Sequence, residues 1–182
     1  MLVRWPGVAR AGQVRAEPVS LLDLMPTLLG AAGVRMPRGL AGQSLQPLLR
    51  GGSARWREHL FTEMNFHEPQ QFRGQRTVRD GRHKLVLNLV VGEGQAPVEL
   101  FDLQADPWET KNLADDPALA ETRRRLERAL EKWRRETNDP LLDAARVQRW
   151  RDAADRWGRL PRVKAGPSMV VRIPEGELDL LR

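Results

Sequence analysis

The run from Val98 to Pro140 changes its hydrophobic period once, and that change dictates how the chain can fold. Val98, Leu100 and Leu103 alternate roughly as a half-buried strand does. Asp106-Pro107 then opens a turn, because proline fixes φ and aspartate can accept from nearby backbone N–H groups. Asp116 stands at an N-cap position and Pro117 at the first helical one. Beyond them Leu119, Leu126, Leu130 and Trp133 form one apolar stripe at helical spacing. A strand and an amphipathic helix joined by a short turn bury their apolar sides against each other only if more strands extend the sheet.

The preceding sequence supplies those strands. His59 to Asn65, Gln75 to Val78, Lys84 to Val91 and Val98 to Leu103 read as four strands in series, with Arg79-Asp80-Gly81 as one hairpin turn. The expected fold is therefore α+β, a four-stranded antiparallel sheet packed by one long helix. Upstream, Leu2-Val3-Arg4-Trp5 reads as the end of a strand, and Ser20 to Ala32 reads as a buried helix with Ser20 and Asp23 in a capping arrangement and Gly33 as its stop. Residues 34–58 read as a long loop with a helical turn near Leu45–Arg50. After Pro140, Leu142 to Trp157 fits a further helix, and Met169–Ile173 a strand-like piece within a tail.

The charge excess is +6, from 30 Lys and Arg against 24 acids. An anionic partner would suit such an excess. Much of it lies in Arg123, Arg124, Arg125, Arg128, Arg134 and Arg135, interleaved with Glu121, Glu127, Glu131 and Glu136, which reads as a solvated helix face. No apolar run approaches the roughly 20 residues of a membrane helix. The segment MLVRWPGVAR lacks a signal-peptide layout, so the chain as it stands reads as cytoplasmic; an N-terminus starting further upstream would allow a periplasmic or secreted location.

Cysteine is absent, which removes thiolate metal sites and thiol nucleophiles. The three histidines, His59, His67 and His83, are not at metal-ligand spacing, and no metal ligand is assigned. Asp102, Asp106, Asp115 and Asp116 fit turn and cap chemistry rather than a calcium loop. The six tryptophans read as packing residues. His67 differs in context: it lies in FTEMNFHEPQQF, beyond a strand end and beside Glu63, Asn65 and Glu68. An ordinary loop and a binding loop both fit that stretch.

The wording ELFDLQADPWETKNLADDP, followed by the helix ending KWRRETNDP, resembles the C-terminal subdomain of sulfatases, with its last strand, its "DPxExxNLA" turn and its final helix. LVRWPGVARAGQV, VSLLDLMPTLLGAAGV, GLAGQSLQPLLRG and HLFTEMNFHEPQQFRGQRTVRDGRHKLVLNL resemble further segments of the same family in the same order. Together they cover residues 2–140. EMNFHE, LVLNL and LEKWRRETNDP are most similar to heparan N-sulfatases (sulfamidases) and their bacterial relatives.

The resemblance implies the end of an alkaline-phosphatase-like α/β domain over residues 1–58, the small subdomain over 59–140 and a tail over 141–182. It implies a hydrolase of sulfate esters or N-sulfates of a sulfated sugar or small sulfate ester. In that family a formylglycine, made within a C/S-x-P-x-R motif, attacks sulfur with calcium as Lewis acid. No stretch of this chain matches that motif, so formylglycine and calcium belong to the intact enzyme, with none bound by this chain and no catalytic residue in it. A split, truncated or wrongly started reading frame is expected. The partners expected are the upstream catalytic half and a second copy of the chain; membrane is excluded and nucleic acid disfavoured. By resemblance the loop around Glu63–Arg76 faces substrate, with His67, Glu63 and Arg73 as sugar or sulfate contacts. The competing reading is a non-catalytic, stand-alone module binding an anionic partner, a sulfated glycan or nucleic acid.

Overall fold

In the computed structural model a buried carboxylate organises the first of two units into which the chain divides, Met1–Leu60 and Phe61–Arg182. The structure describes residues 1–52, 55–66, 72–91, 94–158, 163–165 and 168–170.

In the first unit a 3-10 turn, Leu21–Asp23, leads into α1, Leu24–Ala31, and a short α2 follows at Gln46–Leu49. Ser20 and Asp23 form the expected capping box, with Ser20 N donating to Asp23 Oδ2 at 2.8 Å. Pro26 falls within the first turn of α1, where its missing N–H costs nothing. Asp23 does more than cap. Its Oδ1 accepts from Gln43 N at 2.8 Å, and both oxygens accept from Arg57, at 2.5 and 2.6 Å. Burial raises its pKa, but these donors outweigh burial and hold the carboxyl below the usual range. Thr27 Oγ1 accepts from Leu45 N at 2.8 Å, so one turn of α1 fixes both ends of the 43–45 loop. Gly42 sits so close to this turn that an added Cβ would lie 2.0 Å from Leu22 O.

Two expectations fail in this unit. Leu2-Val3-Arg4-Trp5 form no strand, because the described residues of 1–59 hold no other strand to complete a ladder. The α1 segment, expected to be buried, shows much of its apolar surface: Leu21 is 77% exposed and Leu28 65%, with Leu22, Leu24 and Met25 exposed as well.

The second unit is the expected α+β layer. Strands β1 (Leu60–Phe66), β2 (Phe72–Arg79), β3 (His83–Asn88) and β4 (Val98–Asp102) form one sheet in the order β1-β2-β3-β4. The β2–β3 and β3–β4 pairs are antiparallel, with Val78 opposite Leu85 and Leu85 opposite Leu100. Period-two alternation puts Val78, Leu85 and Leu100 on one face, against Leu126 and Leu130 of α3, Ala120–Glu136. Asp116 caps the 3-10 turn Pro117–Leu119 that precedes α3, accepting from Ala118 N. The turn after β4 runs back along that strand: Asn112 Oδ1 accepts from Leu100 N and Leu113 N donates to Leu100 O, which covers an otherwise open sheet edge.

A second cluster joins Val90 and Leu141 to Trp150 and Ala153 of α4, Ala144–Gly158. Beyond it β5 (Val163–Ala165) and β6 (Ser168–Val170) pair as a small antiparallel ribbon. Trp150 is buried as expected, but Trp108 is 86% exposed at the turn after β4, so it is not a packing residue. Among the described residues no helix is long and apolar enough to cross a membrane.

Truncating Leu126 to Ala should cost about 2–5 kcal/mol, as buried leucines do, whereas exposed Arg124→Ala should change stability by less than about 0.5 kcal/mol. Equal shifts in urea melts would place the apolar face of α3 elsewhere. A second expectation concerns the open face of the α1 segment, where Leu21, Leu22, Leu24, Met25 and Leu28 all stand exposed. The purified chain should dimerise, aggregate or require another part of the enzyme in trans; light scattering that shows a stable monomer, with no binding of a hydrophobic dye, would contradict this.

Candidate functional site

Strand alternation places Phe61, Glu63 and Asn65 on one face of β1. Phe61 stacks flat on Trp133 of α3, ring centroids 5.1 Å apart, so that face looks toward the last turns of the helix. On β2 the same parity selects Gly74, Arg76 and Val78, all buried. A guanidinium therefore occupies a core position, and Arg76 is fully buried.

Its partners come from three elements. Nε and Nη2 donate to the two carboxylate oxygens of Asp139 at 2.9 and 2.7 Å. Nη1 donates to Asn65 Oδ1 and to Gln75 O, each at 2.9 Å. Glu63 Oε2 lies 3.7 Å from Nη2. Arg134 closes the network, donating from Nε to Asp139 Oδ2 and from Nη2 to Leu141 O, both at 2.7 Å. Bidentate pairing of this kind is the strong form of a charge-assisted hydrogen bond.

The end of α3 delivers Asp139 to that position. Asp139 N donates to Arg134 O and Asn138 N to Arg135 O, the two bonds of a Schellman cap. Asn138 takes the left-handed conformation there, φ 53°, a role in which asparagine substitutes for glycine. The chain thus doubles back and sets Asp139 over Arg134. Asp139 also caps the next 3-10 turn, accepting from Leu141 N at 3.0 Å, with Pro140 as its first residue. Burial pushes the Asp139 carboxyl up, but hydrogen bonds from Arg76, Arg134 and Leu141 N outweigh burial and hold it at about 2.

Of the expected site residues, Glu63 is on β1 with its side chain 53% exposed, beside Arg76. Arg73 belongs to β2, but its side chain lies outside the described residues, as does all of His67. The periodicity reading missed Asn65, Arg76, Arg134 and Asp139 as one constellation. Arg134 was assigned to the solvated face of α3 and is instead buried. A signal existed: Leu126, Leu130 and Arg134 are successive steps of four, so Arg134 continues the buried stripe.

The donor set of the described residues does not fit a resident calcium. Among the described residues no three His, Asp or Glu side chains converge. Asp23, Asp102 and Asp139, the buried acids, are each engaged by a guanidinium and by backbone N–H groups. Arg82 and the turn amides of Gln104 and Ala105 hold the Asp102 carboxyl well below the usual range against the effect of burial.

Depressed carboxyl pKa values stabilise the fold above the unfolded value, near 4, and that contribution is lost as pH falls through the folded one. For Asp139 the window runs from about 4 down to about 2, and the contribution is about 2 kcal/mol. Asp139→Asn should remove it, leaving two guanidiniums buried on a neutral amide at a cost of about 3–5 kcal/mol at neutral pH. Between pH 5 and 2.5 the variant should then lose less stability than the wild type; parallel acid profiles in urea melts would show that Asp139 is not the ionised partner.

Residues 1–136 match the family model for N-sulphoglucosamine sulphohydrolase, C-terminal. Human N-sulphoglucosamine sulphohydrolase is 29% identical over 198 residues, covering 77% of this chain and 39% of the relative. A solved protein in complex with its substrate D-glucosamine-2-N,6-O-disulfate superposes with a TM-score of 0.57 at 27% identity, over 65% of this chain and 25% of the other. The phosphonate monoester hydrolase of Silicibacter pomeroyi gives 0.59 at 32% identity, over 73% and 28%. The chain spans between 25% and 39% of the length of these three. Matched over three quarters of its length, the chain belongs to the family of the C-terminal region of N-sulphoglucosamine sulphohydrolase, within the sulfatases.

Proposed function

We propose that this chain is the C-terminal part of a hydrolase of sulfate esters or N-sulfates whose substrate is a sulfated sugar. The family match over residues 1–136 carries the reading. The formylglycine nucleophile and the calcium ligands that such an enzyme uses are supplied by a part outside these 182 residues. Two observations support that division: no C/S-x-P-x-R motif occurs in the sequence, and the buried acids among the described residues, Asp23, Asp102 and Asp139, are already engaged by guanidiniums.

The role left to this chain is to bind and orient. Glu63 midway along β1, with His67 and Arg73 of the stretch that follows, contacts the sugar or its sulfate; none of the three is a nucleophile. Glu63 suits such a role, because about half of its side chain is exposed while the buried Arg76 lies beside it. The likeness to a phosphonate monoester hydrolase makes that ester class the one competing substrate.

The purified chain should therefore hydrolyse neither an aryl sulfate nor an aryl phosphonate monoester, with or without calcium. Mixed with the formylglycine-bearing part of the same enzyme, it should restore turnover of the sulfate. Turnover by the chain alone, above a preparation from cells lacking its gene, would overturn the proposal. Restored turnover of the phosphonate alone would replace the substrate class.

A further inference from the structure

Glu63 is an anion, and its surroundings do not let it receive another. Arg76, Arg134 and Arg135 bring three positive charges to the network, and Asp139, Glu63 and Glu131 bring three negative ones. The count closes without a ligand. Arg76 has no donor to lend, since Asp139, Asn65 and Gln75 O take its hydrogen bonds and Glu63 the remaining direction. Arg134 is likewise engaged by Asp139 and Leu141 O, with Glu131 at 3.5 Å. The Phe61–Trp133 stack turns this face of β1 toward the C-terminal end of α3, where helix carbonyls favour positive charge. A sulfate brought close to Glu63 would meet a like charge and be repelled.

We infer that Glu63 reads a hydrogen-bond donor of the sugar, a hydroxyl or an ammonium, and not its sulfate, and that Arg76, locked by Asp139, is the positioning residue that fixes Glu63 and Asn65 for that contact. This rests on the proposed reading of β1 as a substrate strand and deepens it: the recognised sugar carries an unsulfated donor at the position facing β1. A sugar with an ammonium there satisfies the carboxylate.

The test uses the full chain with two probes, glucosamine 6-sulfate, whose C2 nitrogen is an ammonium, and glucosamine-2-N,6-O-disulfate, whose C2 nitrogen is sulfated. Titrations followed by saturation-transfer NMR should show the ammonium sugar binding at least fivefold tighter. Glu63→Gln should bring the ratio close to one. Asn65→Ala removes the hydrogen bond that ties Arg76 to β1 but keeps its buried counter-ion, and it should lower the ratio at least threefold while amide shifts of β3 and β4 stay in place. Asp139→Asn should act in the same direction; if that variant does not fold, Asn65→Ala decides. A merely structural role would weaken both sugars equally and leave the ratio unchanged, which would overturn the positioning role. Equal or tighter binding of the disulfate by the wild type would overturn the donor-reading role while leaving the substrate strand standing. Binding of neither sugar by the wild type would remove the substrate strand and this inference together.

Discussion

Two guanidiniums from different elements, Arg76 of β2 and Arg134 of α3, meet on one buried carboxylate that belongs to neither. Buried ion pairs are weak sources of net stability, because desolvation offsets much of their attraction. What they impose is geometry. The apolar cluster of Val78, Leu85, Leu100, Leu126 and Leu130 would hold α3 on the sheet in several closely related ways. A bidentate pair tolerates far fewer. Once Asp139 is engaged, the last turn of α3, the reversal at Asn138 and the parity of β2 are fixed together. Asn65 then ties β1 to the same centre. Loss of the carboxylate would strip two buried guanidiniums of the acceptor they share, leaving only the longer carboxylate contacts to Glu63 and Glu131.

The first unit repeats this logic with other residues. Asp23 caps the turn before α1 and meets Arg57, 34 residues away, while Gln43 N fills its remaining lone pair. Both hubs are aspartates placed at helix caps. A cap aspartate already points its oxygens at backbone N–H groups, so its orientation is settled locally. A distant arginine needs only to arrive. That order, local cap first and remote guanidinium second, explains how a chain with small apolar clusters can specify long-range contacts.

The elements were legible in the sequence because periodicity is a local property. Leu126 and Leu130 declare a helix face, and Val98 and Leu100 a strand, without knowledge of any partner. The hubs were not legible, because a buried arginine looks like a surface arginine until its counter-ion is located. Arg76 and Asp139 are 63 positions apart. Asp139 reads as a plain N-cap before Pro140, which it also is. The expected strand at Leu2–Trp5 failed for the complementary reason: its pattern is local, but a strand exists only through a partner. Of the candidate site, Glu63 and Asn65 stand in one polar stretch and Glu63 was singled out there by resemblance, while Arg76 had no such context to mark it.

The family wording itself falls largely on these scaffolding roles. Asp23, Pro26 and Thr27 of the helix motif build the first hub and pin the 43–45 loop. In the turn motif Asp106 accepts from Thr110 N and Lys111 N, Glu109 pairs with Lys84 at 2.6 Å, and Asn112 covers the β4 edge. None of these side chains is free to choose a substrate. A scaffold held by such residues can serve esters of different acids, which is consistent with similarity both to a protein that takes a disulfated glucosamine and to a phosphonate monoester hydrolase. Selectivity then has to come from side chains that the scaffold steadies but does not consume. On the described surface of β1 Glu63 meets that condition, since its charge is balanced from within and its outer face remains open.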